Sequence, residues 1–172
     1  MIDRSDVVAK MSLREKEIFE KYKDTYPFPI REFVKELDIK IIEKIGDSLG
    51  GKVGRENGVY CITIYIPRKP IIDKKMDLLY INTTIAMVLM DLFFDVETHD
   101  VERTLLRACA FLMPRETFAK IGQELAEKSN FSCKKIGEYF GVIPDAVEFY
   151  MNYLVGTMNL AKELEILFEE QE

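Results

Sequence analysis

The sequence contains few of the side chains that usually bind metals or form redox centres. Histidine occurs once, at His99, and tryptophan does not occur. The three cysteines, Cys61, Cys109 and Cys133, are widely spaced and form no CxxC pair. This spacing excludes zinc ribbons and thioredoxin-like redox motifs, and it favours reduced thiols packed as small hydrophobic side chains.

An excess of positive charge and a secretory signal are also missing. Lysine and arginine number 24 against 30 aspartates and glutamates, which gives a net charge of −6. Generic nucleic-acid binding is therefore disfavoured, because it usually leaves a basic surface. The opening "MIDRSDVVAKMSLREKEIFEKY" is charged and has no apolar centre, so no secretory signal is expected and the sequence predicts a cytoplasmic protein.

One long apolar run stands out, and it includes "TIAMVLMDLFFD" from Thr84 to Asp95. The run from Leu78 to Phe94 spans 17 residues, which is at the lower limit for a membrane-spanning helix. It contains Asp91, and a charge inside a bilayer is costly. The sequence therefore predicts a buried core helix and no membrane association.

The first half of the chain predicts two helices and a small sheet. Apolar residues recur at helical spacing from Ser5 to about Lys23, and Pro29 can open a short helix through Leu37. Three strand-like runs follow, "IKIIEKI", "GKVGREN" and "GVYCITIYIP", and Asn57-Gly58 is a strong hairpin signal between the last two. We expect a three-stranded antiparallel sheet.

The second half predicts helices throughout. They cover Leu78–Phe94, Val101–Phe111, a segment after Pro114, two shorter segments around "GVIPDA", and a last segment from about Thr157. Because strands and helices do not alternate, the fold class is α+β and mainly helical. The aromatic residues Phe149, Tyr150 and Tyr153 have the spacing of a helix core, although a protein-binding groove or a dimer contact would use the same residue types.

Several short strings resemble the ImmA/IrrE family of zinc-dependent peptidases. "TIA" (Thr84–Ala86) stands at the start of the central helix, and "LMP" (Leu112–Pro114) and "FGV" (Phe140–Val142) follow at suitable distances. The resemblance implies a zincin-like domain over residues 1–128. It also implies that residues 129–172 form a helical, helix-turn-helix-like segment packed on the same domain.

The zinc-binding chemistry of that family is missing. In H-E-x-x-H, two histidines one helical turn apart bind zinc and the glutamate polarises water. The corresponding positions are Met87, Val88 and Asp91, and the position of the third ligand is Arg103. The resemblance therefore implies a degenerate relative without catalytic residues or a metal cofactor.

A protein without these catalytic residues can still act by binding. The resemblance implies a regulatory, protein-binding role in a bacterial or phage and mobile-element setting, with a helix-turn-helix repressor as a candidate partner. The candidate partner-binding residues lie on the central helix: Thr84, Met87, Met90, Asp91 and Phe94. The last helix, with Leu160, Leu164, Leu167 and Phe168 on one stripe, also allows a homodimer.

Two alternatives stay open at this point. Asp91, His99 and Glu102 would make a minimal three-ligand set for an unorthodox metallopeptidase, since catalytic zinc sites use three protein ligands. Residues 132–154 would make a DNA-binding helix-turn-helix. Its second helix contains Asp145 and Glu148 but no lysine or arginine, which disfavours contact with phosphates.

Overall fold

A computed structural model describes residues 1–69, 73–95 and 100–169 of the chain. Within these residues the fold is α+β, as predicted, with eight helices and one three-stranded sheet. The first half contains α1 (Arg4–Lys10), α2 (Leu13–Glu20), α3 (Ile30–Glu36), β1 (Lys40–Gly46), β2 (Gly50–Glu56) and β3 (Val59–Pro67). The second half contains α4 (Lys74–Phe94), α5 (Val101–Leu112), α6 (Arg115–Glu127), α7 (Cys133–Phe140) and α8 (Pro144–Glu169).

The predicted single helix from Ser5 to Lys23 is wrong, because the chain forms two helices there. The first ends at Lys10 with Met11 as its C-cap, and Ser12 caps the second. The Ser12 hydroxyl accepts from the Glu15 backbone N–H, and the Glu15 carboxylate accepts from the Ser12 N–H. This capping box satisfies N–H groups that begin a helix, and it competes with a continuous helix through the same residues. Asp3, and not Ser5, caps α1.

The sheet is mixed, so the prediction of an antiparallel sheet is wrong in part. β2 and β3 form the expected antiparallel hairpin, and Asn57 and Gly58 adopt φ angles of 51° and 83° at its turn. β1, however, pairs parallel with β3, which gives the order β1-β3-β2. β3 takes the centre because it is the most apolar strand, with Ile62 and Ile64 fully buried, whereas β1 and β2 carry mostly exposed residues that suit edges.

α4 is the central helix and packs against β2, β3 and α5. Ile85, Ala86 and Leu89 have no solvent exposure, as expected for a core helix. Asp73 caps its start by accepting from the Met76 N–H at 2.8 Å. Among the described helices, α4 meets the length and hydropathy limits for a membrane span, which core helices of soluble proteins also meet.

The second half closes with a tight corner between α7 and α8 that packs on the N-terminal loop. A Cβ on Gly137 would lie 2.6 Å from the Val142 carbonyl oxygen, and Gly141 adopts φ 75° at the turn. Pro27 lies against Gly141, and the Tyr26 ring stacks on Tyr139 with 5.7 Å between centroids. Residues from the first and the last third of the chain therefore contact each other here.

α8 runs without interruption from Pro144 to Glu169, so the prediction of a separate last helix from Thr157 is wrong. Gly156 lies inside this helix and is exposed. A glycine in an exposed helix interior costs only about 1 kcal/mol, which is too little to end a helix by itself.

The described cysteines are free thiols, and two of them lie in the core. Cys61 and Cys109 are 2% and 1% exposed, in agreement with packing as small hydrophobic side chains. Burial raises the pKa of the Cys109 thiol to about 12. At neutral pH this thiol is protonated and is a poor nucleophile.

Candidate functional site

The helix face that carries the altered H-E-x-x-H positions contacts two neighbours, β2 and α5. Val88, at the position of the family's glutamate, is 3% exposed and packs on β2. A Cβ on Gly51 of β2 would lie 2.6 Å from Val88 Cγ2 and 3.1 Å from Thr84 Cγ2. The strand backbone approaches this closely only because residue 51 is glycine. Hydrocarbon therefore fills the place where the family has its general base.

We expect Gly51→Ala to destabilise the protein by about 1 kcal/mol, because the new methyl group overpacks the contact between β2 and α4. The measurement is urea denaturation followed by circular dichroism. Gly54→Ala on the same strand is the matched control, since its Cβ would meet nothing within 4 Å. Val88→Ala removes the nearest of the crowding atoms, so Gly51→Ala should cost less in a Val88→Ala background than in the natural sequence, and an equal cost in both backgrounds would contradict this cause.

Asp91, at the position of the second histidine, is tied directly to α5. Thr104 Oγ1 donates to Asp91 Oδ1 at 2.8 Å, and Thr104 is 1% exposed. Arg103, the residue assigned by sequence to the third ligand, is exposed instead. The α5 residue that contacts Asp91 is Thr104, which shares the buried face of α5 with Ala108 and Phe111 at spacings of four and three residues. That spacing is the sequence signal that identifies Thr104.

Two of the predicted partner-binding residues, Met90 and Phe94, contact other parts of the fold. Met90 has no exposure, so its assignment to a partner surface is wrong: it lies on the core side of α4. The Arg107 guanidinium carbon lies 3.7 Å from the Phe94 ring centroid, and Lys10 Nζ lies 5.8 Å from it. The pKa of Arg107 is lowered, mainly because burial desolvates the guanidinium and also because Arg103 repels it. Attraction to nearby aspartates opposes this shift.

A cleft of about 600 Å³ opens between β2 and the last turns of α4. Its lining residues come from both elements and from β3: Gly51, Lys52, Val53, Tyr60, Asp91, Leu92 and Asp95. Of the predicted partner-binding residues, Asp91 lines this cleft, and Thr84 and Met87 lie half-buried nearby on the same helix. Sequence reasoning missed the β2 wall, although three glycines in one polar strand are a signal of close backbone approach.

The cleft lies beside β2, on the face of the sheet that packs on α4. Gly51, Val53 and Tyr60 share that face by strand pairing, whereas the Lys52 side chain points to the other face, where its Nζ lies 5.8 Å from the Tyr65 ring centroid. β2 is an edge strand, since it pairs only with β3 in the sheet. Its outward N–H and C=O groups are therefore free to pair with an added strand.

The described part of the chain does not fit a zinc ion at this place. Methionine and valine occupy two of the three motif positions, and zinc sites in proteins use cysteine, histidine and carboxylate ligands. Across residues 1–69, 73–95 and 100–169, no three His, Cys, Asp or Glu side chains gather closely enough to hold a metal ion. His99 lies outside the described residues, so the set of Asp91, His99 and Glu102 stays a prediction.

Comparison with known proteins adds no relative. No family model, curated protein or solved structure matches this chain. The resemblance to ImmA/IrrE rests on the three short strings and the order of elements. "TIA" lies within α4, "LMP" follows the last turn of α5, and "FGV" forms the corner between α7 and α8.

The helix-turn-helix-like corner offers little to a phosphate backbone. Asp145 and Glu148 are exposed on the first turns of α8, and α8 has no lysine or arginine before Lys162. The turn itself is covered, because Pro27 packs on Gly141. Both observations disfavour DNA contacts through the turn and α8, since phosphate contacts need exposed cations or free N–H groups, and the exposed lysines of residues 132–154, Lys134 and Lys135, lie on α7.

Proposed function

We propose that this protein is a non-catalytic, ImmA/IrrE-like binding protein that holds an extended segment of a partner protein in the cleft between β2 and α4. In a cytoplasmic, bacterial or phage and mobile-element setting, the partner would be a regulatory protein such as a helix-turn-helix repressor. The observation that carries this proposal is the open backbone edge of β2 beside α4. On α4, Val88 packs on β2 and Asp91 accepts a hydrogen bond from Thr104, so these two positions make structural contacts.

The physical basis is strand addition. An extended peptide that pairs with an exposed sheet edge gains main-chain hydrogen bonds, and pockets for alternate side chains give it specificity. Here the β2 edge would supply the hydrogen bonds, while Tyr60 and Leu92 supply an apolar wall and Asp95 a charged one. None of these interactions requires a nucleophile or a metal.

Site-specific photocrosslinking in the native host tests this function. A photoreactive amino acid at Val53, whose side chain faces the cleft, should give one discrete adduct with a partner protein. The same amino acid at Lys120, which is exposed on α6, is the matched control and should not give that adduct. Tyr60→Ala should weaken the adduct, because the Tyr60 ring is 36% exposed and lines the cleft.

Adducts of equal yield at Val53 and Lys120, or an adduct that is insensitive to Tyr60→Ala, would count against the cleft as the binding site. The alternative function, a metallopeptidase, is tested by measuring metal content. One tightly held zinc per chain by elemental analysis, lost in His99→Ala, would support the metallopeptidase and overturn the non-catalytic proposal.

A further inference from the structure

A second groove lies between α5 and α8, away from the β2 wall of the cleft. Its volume is about 680 Å³, and its apolar lining residues are Ile2, Leu106, Phe149 and Tyr153. The N-terminal residues close one side of it, because the Ile2 backbone N–H donates to the Tyr153 hydroxyl at 2.6 Å. We call this surface the α5–α8 groove.

The two helices that form the groove run antiparallel. The Cys109 thiol lies 3.6 Å from the Ala146 carbonyl oxygen near one end, while Arg103 shares the groove with Asn152 and Tyr153 further along. Two antiparallel helices leave a long depression between their ridges, and a third helix can pack into it. The shape of the groove therefore suits a helical ligand.

Apolar side chains on this surface face solvent. Phe149 and Tyr153 are only partly buried, and Val101 and Val155 are 54% and 52% exposed. Val101 begins α5, and Val155 follows the buried Leu154 on α8, three residues after the lining residue Asn152. Contiguous exposed apolar surface with a polar rim is typical of protein-binding sites.

The rim of the groove is acidic. Asp100 and Glu102 line it on the α5 side. On α8, Asp145 and Glu148 are exposed and lie one turn before the lining residues Phe149 and Asn152, on the same helix face. Arg103 is the lining residue with positive charge. Within the described part of the chain, no salt bridge involves any of the four carboxylates. Helix capping explains Asp100, which accepts from the Arg103 N–H at 3.0 Å, but it does not explain Glu148 in the second turn of α8.

We infer that the α5–α8 groove binds an amphipathic helix of a partner protein, with an apolar stripe flanked by lysine and arginine. Helix-in-groove recognition uses apolar anchors at spacings of three and four residues, which would pack on Phe149, Tyr153 and Leu106. Basic flanks would face the four carboxylates. A second copy of this chain fits less well, because a two-fold axis would place one acidic rim against the other. This inference does not depend on the cleft beside β2.

Two synthetic helical peptides of about 18 residues test the inference. Both carry the same leucine stripe, but one has lysine flanks and the other has glutamate flanks. In NMR titrations of the full chain, the lysine peptide should shift the methyl signals of Ile2, Leu106 and Val155. Its affinity should fall at least about fivefold when salt is raised from about 50 to about 500 mM, because salt screens exposed charges. The glutamate peptide should leave these signals unchanged.

Charge reversal within the groove provides the decisive variant. Glu102→Lys with Glu148→Lys changes two exposed side chains, so the fold should persist, and the lysine peptide should bind about tenfold more weakly or worse. Glu17→Lys with Glu127→Lys makes the same change of net charge at exposed sites on α2 and α6 and should have little effect. Equal binding of the two peptides, equal losses in the two variants, or self-association in sedimentation that protects the groove methyl groups would overturn the inference.

Discussion

Phe111→Ala is expected to lower the free energy of unfolding by about 3–5 kcal/mol, which is the usual cost of removing a large buried aromatic side chain. Phe111 is fully buried on α5. Its ring centroid lies 5.6 Å from that of Phe19, 4.9 Å from that of Phe28 and 5.8 Å from that of Phe33. The truncation would leave a cavity where the N-terminal helices meet α5, and the surrounding rings are too rigid to fill it.

Guanidinium denaturation followed by circular dichroism measures this loss. Phe131→Ala is the matched control, because it removes the same atoms from a side chain that is 45% exposed, and it should cost less than about 1 kcal/mol. A loss at Phe111 no greater than that at Phe131 would show that α5 is not packed on the N-terminal helices. Burial of the Arg4 guanidinium, whose Nε donates to the Phe111 carbonyl oxygen at 2.7 Å, depends on the same contact.

The sequence predicted those features of the fold that short-range chemistry determines. Asn57-Gly58 marked the hairpin because both residues accept positive φ, and Pro29 marked the start of α3 because its own φ suits a first turn. The apolar run around Leu89 marked α4 as a core helix. Each of these signals lies within a few residues of the structure that it specifies, so one sequence was enough to read it.

Features that depend on distant residues were predicted less well. β1 pairs with β3 because β3, the most buried strand, lies at the centre of the sheet. The short link between β1 and β2 suggests instead that these two strands pair with each other. The break at Ser12 was missed because the helical pattern continues across it, and only the capping box with Glu15 distinguishes the two cases.

The candidate site likewise has a part that the sequence predicts and a part that it does not. Helical spacing placed Val88 on the core side of α4, where it is 3% exposed, and it placed Asp91 on the other face, which lines the cleft. Gly51 and Tyr60 were not identified, because they reach α4 only through the pairing of β2 with β3. Thr104 was missed by one residue, since counting along α5 from Pro114 takes no account of which face of the helix is buried.

Asp91→Ala is expected to destabilise the protein by about 1.5–3 kcal/mol, the range for a hydrogen bond to a charged group whose partner is left buried. The Thr104 hydroxyl donates to Asp91 at 2.8 Å, and Thr104 is 1% exposed. Without the carboxylate, the hydroxyl of this almost fully buried threonine would lose its acceptor on α4. The bridge joins α4 to α5, so its strength measures how much a direct polar contact contributes to the packing of these two helices.

A double-mutant cycle with Thr104→Val isolates the bridge. Valine keeps the shape of threonine and removes the donor. The sum of the two single-variant losses of unfolding free energy should therefore exceed the loss in the double variant by about 1 kcal/mol or more. Asp91→Asn is the conservative control: it keeps an acceptor oxygen and removes the charge, and it should cost less than Asp91→Ala. A coupling energy near zero would mean that the Thr104 hydroxyl bonds equally well to the Asp100 carbonyl one turn earlier in its own chain. In that case the contact between α4 and α5 would rest on apolar packing, and the altered histidine position would have no structural role.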